Sequence, residues 1–294
     1  MENLRGIVMM VVSMAAFAIE DMFVKLSAER VPTGEILLLM GIFGGALFWA
    51  LARREGRAIV TAEVLVPPIF WRNVGEMVGT LGFVTAIVMT PISSASAIAQ
   101  ATPLAVTCGA ALFLGERVGW RRWLAIAVGF LGVLVVIRPG LEGFQLASLW
   151  GVVAVLGMAF RDIATRQIPA TTSTMQVGAW GFLTIAVLGA GMLALAGGAV
   201  MPTPTEALML FCAMGFGFGG YWALILATRV GEVSAIVPFR YSRLLFALGV
   251  GIFVFGERPD AWTLAGAGLI MGSGLYGFMR EQRLRRLSMR SAAR

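Results

Sequence analysis

Ten apolar runs, each about as long as a bilayer is thick, leave this chain very few folds to choose from. They lie near 5–27, 34–52, 68–90, 94–114, 121–138, 147–167, 175–196, 206–228, 234–255 and 261–280. A helix needs about 20 predominantly apolar residues to cross a membrane, and each run meets that length. The runs show no strict alternation, so helices are expected rather than barrel strands. The connections are too short to hold a soluble domain. Composition agrees: 59% of the residues are hydrophobic and 13% charged, with a mean hydropathy of +0.86. A soluble domain keeps roughly a quarter of its residues charged. The small residues Ala15 and Ala16 close to the first run could suggest a cleaved leader. Nine similar runs follow, so the first is read as a retained span.

The net charge of +7 does not point to nucleic acid, because the basic residues sit in short loops and in the tail Arg280-Glu281-Gln282-Arg283-Leu284-Arg285-Arg286. Such segments beside a span set topology and touch anionic lipid. One side of the bundle collects Arg5, Arg53, Arg54, Arg57, Arg117, Arg121, Arg122, Arg166, Arg229 and the tail arginines; the other has Lys25, Arg30, Arg138 and Arg258. The bias predicts that both termini are cytoplasmic. Cys108 and Cys212 lie in apolar runs and are expected to be small packing residues rather than a disulfide.

The chain repeats itself. Gly115-Glu116-Arg117 recurs as Gly256-Glu257-Arg258, and the pair Asp21/Lys25 recurs as Asp162/Arg166, both at an offset of 141 residues. The fold class expected is therefore an all-α membrane protein of ten transmembrane helices in two repeats, residues 1–140 and 141–294. Five spans per repeat is odd, so the second repeat must insert inverted. Inverted repeats mark secondary transporters, whose solute site lies near the midplane between the halves.

Ionisable residues inside spans are functional candidates. Asp21 and Lys25, and Asp162 and Arg166, lie one turn apart. Each is either a self-neutralising pair at a helix end or one of two gates at opposite ends of the bundle. In the third span Asn73, Glu76, Thr80 and Phe83 form a polar stripe, with Arg72 one turn from Glu76; in the fourth, Ser96, Gln100, Pro103 and Thr107 share a face. Such stripes either bond neighbouring helices or line a pore. The ninth span holds Pro238-Phe239-Arg240-Tyr241-Ser242-Arg243, where proline predicts a bend. Arg240 and Tyr241 are the foremost candidates for contact with solute, or with a carboxylate such as Glu20 or Glu76. Glu20 continues a first-span face through Ser13 and Phe17, and Arg161 is a second candidate anion partner. Tyr221 and Trp222 either line an apolar cavity or anchor the interface.

Gly215-Phe216-Gly217-Phe218-Gly219-Gly220 spells a dinucleotide fingerprint, but no strand precedes it and it sits inside a span. Small-residue packing is expected instead at Gly215/Gly219, as at Gly41/Gly45, Gly75/Gly79 and Gly268/Gly272. The chain has no histidine, which excludes a Ser-His-Asp triad and the common zinc sites. It has no Walker loop either, which argues against ATP-driven pumping. No catalytic residue, cofactor or metal is expected.

Ala95-Ser96-Ala97-Ile98 through Pro103 to Phe113-Leu114-Gly115-Glu116-Arg117, then Trp120-Arg121-Arg122-Trp123 and Gly129 to Leu134, resembles the fourth and fifth helices of an EamA-type domain. Phe255-Gly256-Glu257-Arg258-Pro259 with Gly266 and Gly274 resembles the same region in the second half. The whole chain is thus similar to the ten-helix drug/metabolite transporter superfamily. That resemblance implies a proton- or gradient-linked carrier in a bacterial inner membrane, with a cavity between inverted halves. Bacterial exporters of aromatic and other amino acids are among the similar proteins. The expected function is export of amino acids or similar small metabolites by alternating access. A cationic drug or nucleotide-related solute is the alternative, and a membrane enzyme or receptor is a more distant one.

Overall fold

The computed structural model describes residues 2–116, 118–141, 144–230 and 233–292. Of the arginines counted for topology, Arg117 and Arg294, and the side chains of Arg229, Arg285, Arg286 and Arg290, lie outside the described residues. The helices are α1 (Glu2–Ser27), α2 (Thr33–Arg54), α3 (Pro67–Met89), α4 (Ile92–Ala99), α5 (Thr102–Phe113), α6 (Trp120–Ile137), α7 (Leu149–Thr165), α8 (Thr174–Leu195), α9 (Pro204–Val230), α10 (Val233–Ile236), α11 (Ser242–Phe253) and α12 (Ala261–Ala292). Short 3-10 turns occupy Ala62–Leu65, Leu146–Ser148 and Val237–Tyr241, and no strand occurs among the described residues.

Seven segments are long and apolar enough to cross a membrane: Asn3–Ser27, Thr33–Arg54, Ile92–Phe113, Trp120–Ile137, Leu146–Thr165, Thr174–Leu195 and Pro204–Thr228. The other three expected runs fall on α3, which carries Arg72, Asn73 and Glu76, on the interrupted α10–α11 stretch, and on α12, which continues into the basic tail. Two runs are broken in the middle. Pro103, near the start of α5, cannot donate to a helical carbonyl, and the chain turns at Gln100 and Ala101. Pro238 does the same in the 3-10 turn Val237–Tyr241.

The helix ends follow local chemistry. Ser173 and Gln176 form a reciprocal capping box at the start of α8. Gly115 (φ 66°) and Gly256 (φ 62°) take the left-handed conformation, which explains glycine at the head of both Gly-Glu-Arg motifs. After each, the glutamate N–H donates back six residues, Glu116 to Ala110 O at 3.3 Å and Glu257 to Gly251 O at 2.8 Å. Asp260 caps α12 by accepting from Thr263 N at 2.9 Å. That bond, with Arg138 alongside, holds its carboxyl below the usual range. We expect Asp260→Ala to lower stability by about 1 kcal/mol, measured by thermal unfolding at neutral pH. A depressed carboxyl stabilises the fold above its unfolded value, so the difference should fade as pH falls below about 4.

Long-range packing occurs mainly in pairs: α2 lies along α8, α3 along α7, α1 along α9 and α6 along α12. Glycine lets the backbones meet. Gly41 faces Ala186, Gly45 faces Leu183, Gly75 faces Arg161, Gly79 faces Gly157 and Met158, and Gly132 faces Gly266. The expected packing at Gly41/Gly45 and Gly75/Gly79 is present. At Gly215/Gly219 and Gly268/Gly272 it is not: these four face open space. On α9 the packed residues are Gly217, against Glu20, and Gly220, against Phe17; on α12 they are Gly266 and Gly274. On these two helices the glycines that pack lie at other positions, three residues apart on α9 and eight apart on α12. Cys108 and Cys212 are both free.

Candidate functional site

Charged side chains from several helices meet inside the bundle. On α3, Arg72 is buried by the bare backbone at Gly181, donates to Asn73 Oδ1 at 3.1 Å, and pairs with Glu76 one turn on at 2.6 Å. On α7, Arg161 reaches across the α3–α7 contact to Glu76 Oε1 at 3.2 Å and also pairs with Asp162 at 2.8 Å. Arg72, Glu76, Arg161 and Asp162 form one network, with two positive and two negative groups. Ions taken out of water need such pairing, and a guanidinium between two carboxylates supplies it from both edges of its plane.

A second pair joins α1 to α11. Arg243 Nη2 bonds Asp21 Oδ2 at 2.7 Å, and its guanidinium lies 4.9 Å from the Phe83 ring and 5.4 Å from the Phe17 ring. This replaces the expected Asp21–Lys25 pair. The reason is reach: Lys25 extends to the carbonyls at the end of α3, Ile87 O at 2.8 Å and Thr90 O at 2.5 Å, where the helix dipole favours a cation. The expected Asp162–Arg166 pair is also absent, because Asp162 is held by Arg161 and Arg166 bonds Glu116 at 2.9 Å.

Beside these paired groups stand two that form no hydrogen bond or ion pair among the described residues; Glu20 lies within electrostatic reach of Arg243. Glu20 makes no hydrogen bond or ion pair among the described residues, although the other carboxylates described within the spans do. Together with Met40, Phe43, Gly44, Phe182, Met214, Gly217 and Phe218 it lines a narrow cleft. Arg240 is exposed, with no hydrogen bond or ion pair among the described residues, and lies within electrostatic reach of Asp162, Arg161 and Arg243. Aromatic rings wall the region: Tyr221 packs on Phe48 at 5.0 Å and Phe182 at 6.4 Å, and Trp222 stacks on Phe218 at 6.3 Å.

Among the residues singled out in the sequence, Phe17, Glu20, Asp21, Glu76, Arg161, Asp162, Tyr221, Trp222 and Arg240 therefore come to this region. Tyr241 does not: it is buried, with its hydroxyl against Gly274 of α12. The advance of about 120° per residue in a 3-10 turn separates it from the face shared by Arg240 and Arg243. Gln100 is buried at the α4–α5 break. Lys25 and Arg166 sit at opposite ends, away from the centre. Sequence reasoning did not place Arg243 or Arg72 in the site and overlooked Met40, Phe43, Phe182, Met214 and Phe218. The three-residue spacing of Arg240 and Arg243 was the available signal for the first. The apolar residues, inside apolar runs, carried none. Among the described residues, no three His, Cys, Asp or Glu side chains gather as for a metal.

Comparison with known proteins accounts for this architecture. A riboflavin transporter of Rhizobium johnstonii is 30% identical over 74% of this chain and 72% of its own length. An S-adenosylmethionine uptake transporter of Rickettsia bellii is 24% identical over 95% of this chain and 94% of its own. A pseudopaline exporter of Pseudomonas aeruginosa is 28% identical over 90% of this chain and 93% of its own. A solved crystal structure shares the fold, with a TM-score of 0.60 at 20% identity, covering 94% of this chain and 98% of that one. The EamA-like transporter family matches twice in succession, over residues 4–138 and 145–277. A multi-pass helical bundle with charge gathered between its two matched segments is thus a transporter of small molecules rather than an enzyme, and the chain belongs to the EamA-like transporter family.

Proposed function

We propose that this protein is a secondary active carrier that exports zwitterionic metabolites, amino acids or close derivatives, by alternating access between two inverted five-helix halves. The carrying observation is two ions of opposite sign that have no hydrogen bond or ion pair among the described residues: Glu20 in the aromatic-lined cleft, and Arg240 within electrostatic reach of Arg161, Asp162 and Arg243. Glu20 would take the amino group and Arg240 the carboxylate, while Phe43, Phe182 and Phe218 hold the apolar part. The Arg72–Glu76–Arg161–Asp162 network would position the two poles and keep the surrounding charge balanced. Groups that must exchange partners with a solute cannot be locked to each other, and among the described residues these two form no hydrogen bond or ion pair.

The ten-span, inverted arrangement is supported by symmetry. If the halves exchange, α1 takes the place of α7 and α9 that of α3, so the α1–α9 and α3–α7 pairings transform into each other, while α2–α8 and α6–α12 transform into themselves. The interrupted helices also correspond, one in each half, and interrupted spans at matching positions are where carriers of this type bind solute. The arginine bias supports cytoplasmic termini in a bacterial inner membrane. As the one described spanning carboxylate without a partner, Glu20 is also the group we assign to gradient coupling by a proton.

The relatives named above handle different solutes in different directions, and S-adenosylmethionine, itself an amino acid bearing a positive sulfur, fits the same two poles. The test is flux of labelled amino acids in proteoliposomes, in both directions and with an imposed pH gradient. We expect saturable flux in the wild type, lost in Arg240→Ala, and uncoupled from the gradient in Glu20→Gln. Folded protein that moves no amino acid, but does move a cationic drug or a nucleotide-related solute, would reject the solute class and keep the carrier.

A further inference from the structure

The repeat places one further pair of residues in matched positions. Lys25 and Arg166 are 141 residues apart, and so are Glu116 and Glu257. Lys25 belongs to the first half and meets Glu257 of the second, at 3.9 Å; Arg166 belongs to the second and meets Glu116 of the first, at 2.9 Å. Both ion pairs cross between the halves, at opposite ends of the bundle.

They are used differently. Glu257 reaches from the turn after α11 onto the start of α4, accepting from Ile92 N at 2.6 Å, Ser93 N at 3.1 Å and Ser93 Oγ at 2.6 Å. Lys25, beside it, binds the end of α3 and lies over the Phe255 ring at 5.2 Å. This one carboxylate thus ties α1, α3, α4 and α11 together, and its ion pair is sheltered, with side chains 17% and 11% exposed. At the other end the Glu116 carboxylate bonds only Arg166 among the described residues, and that pair is solvated, at 47% and 45%. The packing follows the same asymmetry: α4 lies against α11, with no comparable packing of α5 on α10 among the described residues. Equivalent parts are engaged at one end and released at the other.

We propose that the two motif glutamates are the clamps of the two gates. Glu257 with Lys25 closes one end in the present state, and Glu116 with Arg166 becomes the sheltered clamp when the carrier opens the other way. The inference rests on the alternating-access reading and assigns that motion its latches. Charge-assisted bonds to a helix start make Glu257 a strong latch, and their loss should favour the opposite state.

The test places a reporter in the cleft, Met40→Cys, in a Cys108→Ala, Cys212→Ala background, in sealed vesicles labelled from either face with a membrane-impermeant maleimide. In the reporter protein, labelling should be faster from the Arg166 face and slower, but measurable, from the Lys25 face. Glu257→Gln should raise the rate from the Lys25 face on the order of tenfold, and Glu116→Gln should lower it. Ser93→Ala, which removes one bond to Glu257, should shift the rate in the Glu257→Gln direction by less, and decides the matter if Glu257→Gln fails to fold. Labelling from both faces that neither glutamate alters, or that both alter in one direction, would overturn the clamps and leave the carrier standing. Labelling from one face only in every variant would overturn alternating access itself.

Discussion

Replacing Arg161 with alanine should destabilise the folded protein by about 3–5 kcal/mol and abolish transport. Among the described residues the guanidinium is the only link between Glu76 on α3 and Asp162 on α7. Without it, Asp162 keeps no ion pair among the described residues, with only Arg240 within electrostatic reach, and Glu76 retains its pair with Arg72. Glu76 is largely buried and Asp162 half-buried, and an ion left without its pair in such surroundings costs far more than a pair contributes. Arg161→Lys keeps the charge but not the fork that engages both carboxylates, so an intermediate loss is expected. Thermal unfolding in detergent measures the effect. The account requires coupling: Glu76→Gln should cost less in the Arg161→Ala background than in the wild type. Additive losses would mean that the network is not a unit.

Gly157→Leu should be nearly as damaging, while Gly215→Leu should be close to neutral. Gly157 meets the backbone of Gly79 where α3 and α7 cross, so the space for a side chain there is already filled by main chain. Backbone does not yield as a flexible side chain does, and the two helices would have to part, carrying Arg161 away from Glu76. A loss of at least about 3 kcal/mol, with loss of a monodisperse elution profile, is expected. Gly215 faces open space on α9, so leucine there should change stability by less than about 0.5 kcal/mol. Equal behaviour of the two variants would contradict the packing described.

Much of this molecule is legible in its sequence because lipid imposes a simple rule: long apolar runs must become helices. The repeat was legible too, since Asp21 and Asp162, and Glu116 and Glu257, keep their spacing. Partner choice was not. Asp21 and Lys25 share a helix face, yet each finds a better partner from elsewhere: Arg243 across the bundle for one, bare carbonyls at the end of α3 for the other. Sequence proximity gives no means of ranking those contacts. Tyr241 lies away from Arg240 because composition marks a polar segment without its phase, and the 3-10 turn sets the phase that sends Arg240 and Arg243 one way and Tyr241 toward Gly274. Met40, Phe43 and Phe182 were invisible because an apolar residue lining a cleft looks, in sequence, like one facing lipid.

The central claim is that Glu20 and Arg240 bind opposite poles of one solute. It is tested most directly by equilibrium binding of a transported amino acid, its deaminated analogue and its carboxamide analogue to the wild type, Glu20→Gln and Arg240→Ala. The wild type should prefer the amino acid over both analogues by at least about tenfold. Glu20→Gln should lose its preference over the deaminated analogue and keep that over the carboxamide, and Arg240→Ala should do the reverse. Two variants that weaken all three ligands equally would show that neither residue touches its assigned pole, and would contradict the site.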